Sequence, residues 1–114
     1  MTYDRFMVVR VPFPFTDRSA VKNRPALVLS DAAAFSATSA HSVMAMITSQ
    51  GHSPWPLDCS ISEPDAAGLP APSVVRFKLF TLDHRLIRST LGQLAEADRA
   101  AVLRALQRLL RVAP

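Results

Sequence analysis

The sequence predicts a mainly β protein closed by a C-terminal α-helix, as a small, strongly curved antiparallel sheet or barrel capped by that helix. Three observations carry this. Runs of strand length rich in β-branched and aromatic residues recur along the chain: "RFMVVRVPFPF", "PALVLS", "VMAMITS" and "SVVRFKLFTLD". Stretches of turn formers, "QGHSPWP" and "SEPDAAGLPAP", separate the later ones. From about Glu96 the apolar spacing lengthens from that of a strand to that of a helix. With 114 residues the chain is expected to form one domain over 1–114, with the helix at about 96–111.

The first run places Pro12 and Pro14 near its end, where a residue without an N–H marks an edge, a bulge or a strand exit. "TDRSAVKN" is the connecting loop. Pro25 then fixes its own φ and restricts Arg24 to extended backbone at the mouth of the buried strand "PALVLS". "AAAFSATSAHS" is divided between a short helix, favoured by its alanines, and a loop held by hydroxyl-to-backbone bonds. "VMAMITS" is a strand ending at Thr48-Ser49. "LDCSI" alternates Leu57, Cys59 and Ile61 against Asp58 and Ser60, a strand with one wet face. In "SVVRFKLFTLD" Val75, Phe77 and Leu79 share one face, and Arg76 and Lys78 the other. In the tail Val102, Leu103, Leu106, Leu109 and Leu110 form an apolar stripe opposite Arg104, Arg108 and Arg111. Five or six strands and one helix result.

Composition narrows the function classes. No apolar run reaches the length of a membrane span, and the N-terminus has no signal-peptide layout. A single cysteine, Cys59, excludes an internal disulfide and suits a reducing cytoplasm. Scattered His41, His52 and His84 offer no metal-ligand spacing, so neither metal nor cofactor is expected. The net charge of +4 is uneven. Residues 1–30 carry five basic and two acidic side chains, residues 31–70 four acidic and no basic, and residues 71–114 eight basic and three acidic. Eleven of the thirteen basic residues are arginine, whose planar fork suits phosphate. This balance fits a nucleic-acid or acidic-protein partner.

Arg24 is the first candidate for chemistry, because an extended arginine fixed by Pro25 loses little freedom on engaging a ligand. From the residues alone, a loop arginine bonded to a carboxylate or backbone is the commoner case. Thr48 and Ser49, where a strand meets a loop, read likewise as donors to a ligand or as strand-end hydroxyls bonded locally. Arg76 and Lys78 form a cationic pair that suits a phosphodiester, or a solvated strand face. Trp55, between two prolines, either stacks on a base or packs over the sheet edge. Cys59 reads as a buried thiol.

The run "VPFPFTD", the following "KNRPALVLS", the strand end "ITS", and the blocks "GLPAPSVVRFKLFTLD" and "IRSTLGQL" together resemble the MazF/PemK-type toxin family, from Val8 to Leu94. The resemblance implies an SH3-like small barrel of the MazF/PemK/CcdB type with a C-terminal helix, and a homodimer. It implies the toxin of a type II toxin-antitoxin system, a metal-independent endoribonuclease that cleaves single-stranded RNA through its 2'-hydroxyl and is blocked by a cognate antitoxin. The family's catalytic arginine falls on Arg24 and its hydroxyl residue on Thr48. Ser49, Arg76, Lys78, Asp17, Lys22, Asn23 and Trp55 are candidate phosphate or substrate contacts, and residues 14–23 and 50–56 would read the bases.

Two positions depart from the family pattern. Phe6-Met7 stands where an acidic residue commonly follows Gly or Phe, and Lys78 stands where some members carry an aspartate given a general-base role. A lysine with an ordinary pKa near 10 does not take up a proton at neutral pH. Asp17 and Asp83 are the spare carboxylates, Asp83 in a structural position. The departures keep open an inactive relative that binds RNA or antitoxin without cutting. A DNA gyrase-directed toxin on a related fold is the more distant alternative.

Overall fold

The computed structural model describes residues 2–13, 22–51 and 53–111. Six antiparallel strands form one sheet: β1 (Met7–Pro12), β2 (Asn23–Val28), β3 (His41–Ser49), β4 (Cys59–Ser60), β5 (Ser73–Asp83) and β6 (Ser89–Gln93), in the order β4-β5-β3-β2-β1-β6. A π-helical turn, Ala32–Ser36, runs into the short α1 (Ala37–Ser39). A 3-10 turn at His84–Leu86 precedes β6, and α2 spans Glu96–Leu110. The curled sheet with its C-terminal helix is the architecture the strand runs and the change of period predict.

The sheet is buried on both sides, which explains why β1 and β2 read as nearly continuous apolar runs. Val8, Leu27, Ala45, Ile47, Val75 and Phe77 face α2 and pack with its Val102 and Ala105. Val9, Val11, Ala26, Val28, Met44 and Leu82 form a second cluster on the other face, covered by Tyr3, Met7, Phe80 and Ile87. Each fully buried Val, Leu or Ile contributes about 1.5–3 kcal/mol relative to exposure. Val75, Phe77 and Leu79 share the helix side as expected, although the β3 pairing jumps from Ala45↔Leu79 to Met46↔Arg76. This bulge adds residues to β5 without exchanging its two faces, because two extra residues preserve the alternation.

Three expectations need correction. The strand "LDCSI" shrinks to Cys59–Ser60, because Leu57 takes a left-handed φ of 65° in a turn closed by the Asp58 N–H donating to the Trp55 carbonyl. Cys59 is half-buried, its thiol facing the carbonyls of Leu57 and Ala101, and burial raises its pKa. The stripe on α2 is also buried over only part of its length. Val102 and Ala105 are buried, whereas Leu109 and Leu110 are 39% and 55% exposed. At the other end of the helix Asp98 is buried in the first turn. It accepts bonds from Ser62 N–H, Ser62 O–H and Glu63 N–H at 2.9, 2.8 and 3.2 Å. A carboxylate is favourable at that end of a helix. The divided segment satisfies both of its readings: Asp31 caps the helical turn, and the Ser39 hydroxyl bonds the His41 backbone, donating to its carbonyl at 3.1 Å and accepting from its N–H at 3.2 Å.

Close approach of two glycines sets one wall of the site described next. A Cβ on Gly68, whose φ is 72°, would collide with the Leu91 carbonyl, and one on Gly92 would come within 2.5 Å of the Ala66 carbonyl. Only glycine at both positions lets the turn before Leu69 lie this close against β6.

Candidate nucleic-acid interface

Pro25 opens a cleft at one end of the sheet. It has no N–H for a ladder, and pairing of β2 with β3 reaches only as far as Ala26↔Met46. Continued two residues, the same register sets Arg24 opposite Thr48, since 24 and 48 have the same sum as 26 and 46. There the strands are no longer joined, while β3 remains paired to β5 through Thr48↔Val74 and Ser49↔Ser73. The resulting cleft, about 210 Å³, is lined by Arg24, Pro25, Ile47, Thr48, Ser49, Leu69, Pro70, Ala71 and Ser73.

The structure thus brings together the first three sequence candidates, Arg24, Thr48 and Ser49. The Arg24 guanidinium carbon lies 5.9 Å from the centroid of the buried Phe13 ring, a contact that orients the cation without neutralising it. No carboxylate pairs with Arg24 among the described residues. Thr48 is only 6% exposed, so its position is fixed by packing. No carboxylate or imidazole lines the cleft among these residues. The arrangement places a guanidinium and the side chains of Thr48 and Ser49 along one cleft.

Arg76, Lys78 and Trp55 form a second group on the neighbouring strand. Arg76 Nε and Nη2 donate to the two Asp58 carboxylate oxygens at 3.2 and 3.0 Å, and Nη2 also donates to the Ser53 carbonyl at 2.8 Å. Its charge is therefore paired, which corrects the picture of two open cations on one face. Asp58 Oδ2 also accepts from the Trp55 N–H at 3.0 Å. Lys78 Nζ lies 4.7 Å from the Trp55 ring centroid. Lys22 and Asn23 are exposed where β2 begins, outside the cleft lining. Asp17 and His52 lie outside the described residues.

The other spare carboxylate, Asp83, is at the far end of β5, paired in register with His41. Its side chain accepts from Arg85, and these bonds hold its pKa far below the ordinary value. Phe6, at the first departure from the family pattern, takes a φ of 74°. Glycine adopts this conformation freely and phenylalanine does not. Its N–H donates to the Val28 carbonyl at 2.8 Å, and Arg99 covers its ring at 5.6 Å.

Sequence reasoning missed Asp58, taken only as the wet position of an alternating strand, and the wall Leu69–Ala71 with Ser73. The "GLPAP" turn was the available signal for the wall. Asp58 gave none, because its partner is 18 residues away.

The fold is a small curled sheet closed by a helix, and comparison with known proteins identifies its family. Residues 4–110 match the model of the PemK-like, MazF-like toxins of type II toxin-antitoxin systems, and the chain belongs to that family. Among solved structures, MazE-MazF (Form-III) from Deinococcus radiodurans superposes with a TM-score of 0.77 at 24% identity, covering 99% of this chain and 100% of that one. MazF (Form-I) from the same organism gives 0.74 at 24% identity, with 98% and 99% covered. An endoribonuclease in complex with its cognate antitoxin from a mycobacterial species gives 0.75 at 19% identity, with 98% of each chain covered. No curated protein matches.

No helix is long and apolar enough to cross a membrane among the described residues. None of their His, Cys, Asp and Glu side chains form a group of three that could hold a metal.

Proposed function

We propose that this toxin is a metal-independent endoribonuclease that cleaves single-stranded RNA, mRNA above all, in the cytoplasm. The observation that carries the reading is the convergence of Arg24, Thr48 and Ser49 in one cleft. In the reaction the 2'-oxygen of one nucleotide loses its proton and forms a bond to the adjacent phosphorus. The bond from phosphorus to the 5'-oxygen of the next nucleotide breaks, and that oxygen gains a proton. The products end in a 2',3'-cyclic phosphate and a 5'-hydroxyl.

Negative charge builds on the non-bridging oxygens as the new bond forms. A preorganised guanidinium and a hydroxyl donor aimed at those oxygens lower the barrier. Arg24 supplies the first and Thr48 the second, with Ser49 beside it. Lys78 is not the base: its ammonium faces an indole, and Asp58 is occupied by Arg76.

The partners of this reading are single-stranded RNA, a cognate antitoxin and a second copy of the chain. The antitoxin complexes among the structural neighbours support the second. The exposed apolar end of α2, Leu109 and Leu110, supports the third.

The test incubates the purified protein with mixed-sequence single-stranded RNA in EDTA and maps both termini of the products. Discrete cuts ending in a cyclic phosphate are expected. Intact RNA from a folded protein would transfer the reading to a binding module that has lost catalysis.

A further inference from the structure

We propose that Trp55 is the floor of a base-binding shelf beside the Arg24 cleft, where an unpaired nucleobase adjoining the bound phosphate stacks. The inference rests on the RNA-cleaving reading above for its substrate class. The observations that carry it concern a different set of residues.

A tryptophan on an irregular loop is ordinarily a poor binding element, because fixing it costs conformational entropy on each encounter. Here that cost is met in the fold. Asp58 accepts from the Trp55 backbone N–H at 3.0 Å and holds Arg76 with both oxygens. Arg76 in turn bonds the Ser53 carbonyl at 2.8 Å, so both flanks of the tryptophan are tied to β5. The ion pair is well shielded, with side chains 11% and 22% exposed. Yet the residue these bonds hold is 41% exposed, one of few large apolar side chains left open. A structural tryptophan would be expected to use such anchoring to bury its ring.

Lys78 gives the shelf its polarity. Its ammonium sits over the indole, 4.7 Å from the ring centroid, so a positive charge lies against one face of the ring. An aromatic ring that carries a cation on one face and offers the other to a base suits single-stranded nucleic acid: stacking for the base, charge for the phosphate. Position supports the same occupant. Arg76 pairs with Met46, two residues from Thr48, so shelf anchor and cleft lie about 7 Å apart along β3. Arg24 and Lys78 then mark one cationic path past an aromatic surface.

Trp55 is the only tryptophan of the chain, so its fluorescence reports on the shelf directly. The probe is a mixed-sequence single-stranded RNA with 2'-O-methyl groups throughout, which keeps bases and phosphates but has no attacking hydroxyl. Saturable quenching is expected, with anisotropy of the labelled RNA giving the same Kd. Trp55→Ala is expected to weaken that Kd about tenfold, and Trp55→Phe only about twofold, as for loss or reduction of one stacked base. With ordinary RNA the loss should fall in KM rather than kcat. Trp55→Phe also guards against a misfolded alanine variant.

RNA bound by anisotropy with unchanged fluorescence, or an unaltered KM in the folded Trp55 variants, would overturn the shelf. So would quenching by an acidic peptide but not by RNA. The two readings fail separately. Quenching without cleavage of ordinary RNA keeps the shelf and removes the nuclease, whereas cleavage without quenching does the reverse.

Discussion

The two ends of strands β3 and β5 carry polar groups of similar type but organise them in opposite ways. At one end Ser42 Oγ lies 2.8 Å from His84 Nε2, and His41 faces Asp83 at 3.9 Å. By residue type this could pass for a nucleophile and its base. Ser42, however, is fully buried, bonded onward to Ser36 at 3.3 Å, and the His84 ring meets Tyr3 edge-on at 4.8 Å. No substrate oxygen or phosphorus could reach it, and its polar groups are already satisfied. At the other end, Arg24 faces a cleft where, among the described residues, no carboxylate neutralises it. A satisfied polar network stabilises a fold, whereas a fixed, unneutralised charge beside open volume is available for chemistry.

The sharpest way to break that contrast is at Arg24. Arg24→Ala should lower RNA cleavage about 10²- to 10³-fold, as for loss of one preorganised donor to a developing oxyanion. Its thermal unfolding should stay near wild type, since Arg24 makes no ion pair among the described residues. Thr48→Val should cost less, about tenfold in the cleavage rate, read in a single-turnover assay of both variants.

Asp58→Ala tests the part of this end that is built for stability. Removing one partner leaves a largely shielded Arg76 unpaired, at a cost of about 2–3 kcal/mol. The check is denaturant unfolding, with Asp58→Ala/Arg76→Ala recovering part of the loss. A surface pair would contribute at most about 1 kcal/mol.

The smallest effect is expected at the closed end and depends on pH. Burial, then the neighbouring charge of His41, lowers the His84 pKa below its ordinary 6.5. The unfolded chain therefore takes up this proton first. Stability from neutral His84 is fully present above about pH 6.5 and is lost as pH falls through the window beneath it. Asp83 also faces this group, but its contribution is lost only below its ordinary 3.8. Between pH 7.5 and 5, the Tm of wild type should fall more than that of His84→Gln. Equal slopes would remove His84 from the account.

Much of this contrast was legible in the sequence, at the end where local rules govern. Pro25 fixes Arg24 without reference to the rest of the chain, and the apolar run before Thr48-Ser49 announces a strand end. The strand Ser73–Asp83 was legible as a run, and the alternation of Val75, Phe77 and Leu79 within it survives because a two-residue bulge leaves alternation unchanged. Pairings between distant positions were not legible. Asp58 with Arg76, Asp98 with Ser62, and Ser42 with His84 depend on which strands and loops meet, and no local pattern marks them. The α2 stripe failed for a similar reason. Periodicity identifies an apolar face but not how much of it the sheet can cover, and Leu109 and Leu110 extend beyond it.

The central claim is that the open end of the sheet performs phosphodiester cleavage through Arg24. The most direct test is single-turnover cleavage of one mapped RNA oligonucleotide by wild type and Arg24→Ala, with both variants melted to verify the fold. A loss of at least about 10²-fold at equal Tm is the predicted result. Equal rates from two folded proteins would contradict the assignment and move the reacting phosphate away from this cleft.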